Sequence, residues 1–234
     1  MKEKILGLIK LILAILIIVF ANQYYTSFLA LIGINYDELS SFIQECLTLG
    51  LYLLMGYAIF IIYKDKIKGD LSRFKRKWFN NLLMSIVYFA IFTIGIFIFN
   101  YLVEILADTF NTQYFGLTIH EILKQKFNIN SLFLIIKMII VMPFITCVTF
   151  VVGSEELFNR KNMNIFFSGA IAAFTAVLTI SGEFLFIFFN MLPYFAIYFG
   201  LAYIYRRNNS NIWFSIIAFV LYSLLAGALI ARIG

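Results

Sequence analysis

Charge is what this 234-residue chain has least of. Charged residues make up 13% of it and hydrophobic ones 63%, whereas an ordinary soluble domain carries about 25% charged residues. With a mean hydropathy of +0.95, a soluble globular protein is excluded. Proline is nearly absent as well, at two residues, so little interrupts a series of apolar runs of about 17 to 25 residues. Runs of that length match a hydrocarbon core of roughly 30 Å. They must be helices, because a backbone in lipid has to satisfy its polar groups internally. A membrane barrel would instead show alternating strands of about ten residues, and it is excluded. One histidine, His120, rules out a site that needs two imidazoles from one chain. Cys46 and Cys147 are distant, and Cys147 sits in an apolar run, so neither a disulfide framework nor a metal cluster is expected. No phosphate loop, dinucleotide fingerprint or nucleophile elbow is present. No cofactor is expected.

The net charge of +6 does not point to nucleic acid, because the basic residues lie in short connections between apolar runs rather than in a basic domain. They report topology. The expected architecture is an all-α integral membrane protein with about seven spans in one bundle. The spans run over about residues 5–21, 47–63, 78–106, 132–153, 164–180, 184–205 and 212–230. Residues 1–131 hold the first three spans and a long connection, and 132–234 hold a four-span core, within a single domain overall. An alternative reading of the first run, with Lys2 and Lys4 before it and Val19-Phe20-Ala21 at its end, is a removable secretory leader. Placing the amino terminus in the cytoplasm puts Arg73 to Lys77, Arg160-Lys161 and Arg206-Arg207 on that side, with Asp37, Glu38, Glu45, Asp108, Glu121 and Glu183 on the other. The positive-inside rule is then met throughout, with the carboxyl terminus outside a cytoplasmic-type membrane. Trp78 and Trp213 each begin a span, as an interfacial aromatic belt requires. Small residues in the fifth span (Ser168, Gly169, Ala170, Ala172, Ala173, Ala176) allow close backbone approach and suggest a central position in the bundle.

The densest chemistry in the chain is Glu155-Glu156-Leu157-Phe158-Asn159-Arg160, at the end of the fourth apolar run. An isolated charge at bilayer depth costs roughly 2.5 to 3.5 kcal/mol even on lenient insertion scales. If the helix continues past Ser154, Glu156 and Arg160 are i and i+4 and share a face, while Glu155 points about 100° away. A guanidinium would then hold one carboxylate ionised, and the other could serve as a base that activates water. The alternative is three boundary charges at a helix end with no chemistry.

These residues resemble the first motif, Glu-Glu-x-x-x-Arg, of the CPBP family, which contains type II CAAX prenyl endopeptidases, Abi-type proteins linked to bacteriocin self-immunity, and lysostaphin-resistance-like proteins. Glu155, Glu156, Phe158 and Arg160 match it. Pro193-Tyr194-Phe195-Ala196, Gly200-Leu201, Tyr205-Arg206-Arg207 and Ile212-Trp213 are similar to the family's later helix, basic turn and final-helix entry. The likeness covers about residues 143–229. It implies Glu155, Glu156 and Arg160 as catalytic-position residues. It also implies that Leu178 stands where the second motif, aligned on Phe174 to Leu178, has histidine, and that Phe219 and Ser223 stand for the third motif's histidine and asparagine. Leu178 and Phe219 neither transfer protons nor bind metal, and Ser223 can donate one hydrogen bond. The implied protein is a family member built like the peptidases but catalytically degenerate. It would bind a partner protein or peptide in a self-immunity or cell-envelope role.

Two other readings stand beside it. One is an active intramembrane endopeptidase using Glu155 and Glu156. The other is a small transporter or channel component in which Pro143, Pro193 and Glu183 interrupt or polarise helices. Lys137 and Glu104 are a candidate pair within the membrane. His120 reads as an ordinary loop residue, and the Arg73 to Lys77 cluster with Phe74 and Trp78 reads as topogenic, with anionic headgroup binding as the alternative.

Overall fold

A computed structural model describes residues 2–114, 132–133, 135–158 and 160–233, and every regular element in them is helical. Helix α1 spans Lys2–Gln23, α2 Tyr25–Leu31, α3 Ser41–Ile62, α4 Lys64–Lys75, α5 Trp78–Thr109, α6 Ile136–Leu157, α7 Lys161–Val177, α8 Phe184–Arg207 and α9 Ile212–Ile233. Five of these (α1, α3, α5, α6 and α8) are long and apolar enough to cross a membrane, and α7 and α9 contribute shorter apolar stretches. The all-α, multi-pass membrane expectation therefore holds. His120, Lys124, Lys126 and Glu121 lie outside the described residues.

Many large apolar side chains face outward, as in Leu31 at 86% and Phe184 at 79% exposed. That is the surface a bilayer covers and water would penalise. The interior is built around α6, whose window is 61% buried against 17–33% for the other long spans. The central span is thus α6 rather than α7. The small residues of α7 serve a pairwise contact instead: a Cβ on Gly169 would stand 2.7 Å from the Phe195 carbonyl oxygen, so α7 and α8 touch backbone to backbone. Phe166 and Phe174 of α7 are exposed, and the Phe166 ring also packs edge-on to Phe195 of α8 at 5.7 Å.

Helix α6 is irregular. Two π-helical stretches, Ile136–Val141 and Val148–Val152, flank the short α-helical piece that contains Pro143. A proline without an N–H breaks the i to i−4 ladder, and widened turns re-register the chain around such a gap. The result rotates the last turn, Gly153–Leu157, so that Ser154 and Glu155 face the bundle.

The basic stretch after α3 is not an open loop but the amphipathic α4, which buries Ile67, Asp70 and Phe74. Phe74 packs edge-on to Phe214 of α9 with centroids 5.2 Å apart, and Trp213 Nε1 donates to the Ile67 carbonyl at 3.4 Å. Trp78 is 61% exposed at the start of α5. The α8–α9 connection is tight enough to force Asn209 and Ser210 to φ of 53° and 52°. It brings the end of α8, the start of α9 and α4 together at what is here called the basic end.

Candidate functional site at the basic end

Glu155 and Glu156 both point into the protein, and they point to different partners. Glu155 Oε1 lies 2.9 Å from Arg206 Nη1 of α8, and its Oε2 lies 3.2 Å from Lys66 Nζ of α4. The Tyr205 hydroxyl donates to the same Oε2. Glu156 turns to α1, where Lys10 Nζ is 3.1 Å from Oε1 and a Cβ on Gly7 would come within 3.0 Å of the Glu156 Cβ. Adjacent helical positions differ by about 100°, which is why one carboxylate faces α4 and α8 while the other faces α1. Lys10, within the apolar run of α1, thus ends on a carboxylate.

Around Glu155 the polar groups form a continuous network. Lys66 also lies 3.8 Å from Asp70 Oδ1, and Arg73 pairs with the same atom. Asp70, 1% exposed, accepts the Ile212 backbone N–H at 2.9 Å, while Asn211 Nδ2 donates to the Asp70 carbonyl at 3.0 Å. A side chain of α4 therefore caps the N-terminus of α9, where free N–H groups and the helix dipole favour a carboxylate. On the other flank Arg206 Nε donates to Asn164 Oδ1 at 2.8 Å. Asn164 Nδ2 donates to Ser154 Oγ at 2.7 Å, which lies 2.5 Å from Ser168 Oγ. Asn164, Ser154 and Ser168 are all fully buried, so each such group needs its partner. The network ties α4, α6, α7, α8 and α9 together.

Tyr63, just past α3, completes the α1 side. Its ring lies under Lys10 with Nζ 5.8 Å from the centroid, and a Cβ on Gly153 would meet its hydroxyl at 2.8 Å. Burial and then the Glu156 carboxylate push this phenol up, so it stays a neutral hydroxyl.

Several residues singled out in the sequence are not gathered here. Helix α6 ends at Leu157, and Phe158 leaves it at φ −115°, ψ 82°. Arg160 is therefore the extended, exposed residue before α7 and not the i+4 neighbour of Glu156. Among the described residues, the ion pairs of the two glutamates go to Lys10, Lys66 and Arg206. Leu178 is 47% exposed at the far end of α7, where the Gln23 side-chain amide donates to its carbonyl. At 1.5 Å per residue it is about 25 Å from the start of α7. Phe219 sits among aromatic rings, 5.9 Å from Tyr198 and 6.3 Å from Tyr222, and Ser223 is buried farther along α9. Lys137 pairs with Glu45 at 3.8 Å and lies over the Tyr52 ring, so its partner is not Glu104, which is exposed on α5.

Sequence reading missed Lys10, Lys66, Asp70, Asn164 and Arg206 as partners. The one available signal was that Asp70 and Asn164 are polar groups beside apolar runs, where each needs a mate. Among the described residues no group of three or more His, Cys, Asp or Glu side chains is placed to hold a metal ion. Compared with known proteins, the chain matches no family model, no curated protein and no solved structure.

Proposed function

We propose that this is a CPBP-like multispan membrane protein without peptidase activity, which works by binding a partner protein or peptide, with its basic end toward the cytoplasm. The observation that carries the reading is the pairing of both carboxylates with cations of other helices. Glu155 is engaged by Lys66, Arg206 and Tyr205, and Glu156 by Lys10. A general base needs a lone pair aimed at a substrate proton, whereas Glu155 Oε1, Glu155 Oε2 and Glu156 Oε1 are each turned to a cation or a phenol. The two glutamates ending a buried helix support the likeness to the family's first motif. The substitution of its histidines by Leu178 and Phe219, both away from the glutamates, supports the loss of hydrolysis. The orientation rests on the clustering of Lys66, Arg73, Arg206 and Arg207 at one end.

The test is processing of a membrane-tethered reporter peptide by reconstituted protein. Wild type and Glu156→Ala are both expected to release no product. Product from wild type that disappears in Glu156→Ala, a change at a half-exposed ion pair that leaves the Glu155 network intact, establishes the endopeptidase instead.

A further inference from the structure

Between α5 and α8 the lipid-facing surface is cut by an apolar groove of about 740 Å³. Its floor is made by Phe92 and Ile204, both buried, with Gly95 and Gly200 between them. A Cβ on Gly200 would meet the Phe92 ring at 2.9 Å, so this glycine seats the ring, whereas a Cβ on Gly95 would meet nothing within 4 Å and opens onto the groove. The α8 wall follows one helical stripe from Phe195 through Phe199 and Tyr203 to Arg207. Arg207 is therefore the last step of the same stripe, at the basic end. Its side chain leans back toward the helix N-terminus, as helical Cα–Cβ bonds do, and so toward the groove it lines. It is exposed and has no ion pair or hydrogen bond among the described residues.

We infer that this groove holds one acyl chain of an anionic phospholipid, with the lipid phosphate at Arg207. Length decides the class of occupant. From Arg207 to Phe195 along α8 is about 18 Å at 1.5 Å per residue. One leaflet is about half of a hydrocarbon core of roughly 30 Å, whereas a partner's membrane-spanning helix crosses all of it. The groove runs about 18 Å along α8 and about 22 Å along α5 from Met84 to Phe99, short of the roughly 30 Å a spanning helix needs, and it ends at a cation, which is the shape of one lipid rather than of a helix. Its volume falls within the range of about 300 to 1,000 Å³ usual for enclosed ligand sites. Charge agrees: exposed Lys75, Arg76 and Lys77 lead into α5 at the same end, where basic side chains attract anionic headgroups. The inference is independent of what Glu155 and Glu156 do.

The test is native mass spectrometry of full-length protein released from bicelles of equal phosphatidylglycerol and phosphatidylcholine, with thermal melting in detergent as the control for folding. Wild type is expected to retain one phosphatidylglycerol in preference to phosphatidylcholine. Arg207→Gln should lower that preference by roughly fivefold, the effect of one basic residue near an anionic surface. Gly95→Trp, at a position with open space above it, should remove the retained lipid of either kind without lowering the melting temperature. Equal retention of both lipids by wild type, or a phosphatidylglycerol adduct untouched by both substitutions, overturns the inference. So does a dimer in wild type that Gly95→Trp dissolves, which would assign the groove to a second copy.

Discussion

Two chemically identical neighbours, Glu155 and Glu156, should respond very differently to truncation. Glu155→Ala leaves Arg206, whose side chain is 11% exposed, without its carboxylate, while Lys66 at 28% exposed keeps Asp70. Removing one partner of a buried pair costs about 3 to 5 kcal/mol. Arg206 retains Asn164, the Ser210 hydroxyl and the Phe158 carbonyl, which brings the expectation to about 2 to 4 kcal/mol. Glu156→Ala breaks a pair whose side chains are 27% and 30% exposed, and such pairs contribute about 0 to 1 kcal/mol. For a chain of this size 1 kcal/mol corresponds to roughly 2 to 4 °C, so Glu155→Ala should melt roughly 5 to 15 °C lower and Glu156→Ala within about 4 °C of wild type. The assay is heat-induced loss of monodisperse protein in detergent. A double-mutant cycle of Glu155→Gln with Arg206→Gln should show coupling above about 1 kcal/mol. Equal losses for the two alanine variants, or a larger loss for Glu156→Ala, would refute the assignment of the network to Glu155.

Asp70→Ala removes the cap of α9 and should cost about 1 to 2 kcal/mol, with hydrogen exchange at the Ile212 amide rising well before that of the α9 interior. Asn164→Leu strips donors and acceptors from buried Ser154 and from Arg206 and should destabilise by about 2 to 3 kcal/mol, read as a lower melting temperature. Gly153→Ala forces a Cβ to within 2.8 Å of both Leu11 Cδ1 and the Tyr63 hydroxyl, so the melting temperature should fall. Gly95→Ala meets open space and should raise it slightly through helix propensity, worth up to about 1 kcal/mol.

Much of the fold is legible in residue order because hydropathy over a 20-residue window is a local property. The runs expected over 5–21, 47–63 and 184–205 each became one helix, Lys2–Gln23, Ser41–Ile62 and Phe184–Arg207. The amphipathic α4 was hidden because its Lys and Arg residues have a complete topogenic explanation. Its apolar stripe, Ile67 and Phe74, becomes visible as such only against Phe214 and Trp213 of α9. That Glu155 and Glu156 close the fourth apolar run and so need partners was legible from their depth. Their partners were not, since Arg160 is near only if a helix continues, and it stops at Leu157.

What the sequence determined by itself is the solvent: an apolar chain with few charges and two prolines must satisfy its backbone within helices and turn its surface to lipid. Only the tertiary structure decided which cation each carboxylate receives. Lys66, Arg206 and Lys10 lie 89, 51 and 146 residues from their mates, and helix packing, not local spacing, brings them within 3.2 Å.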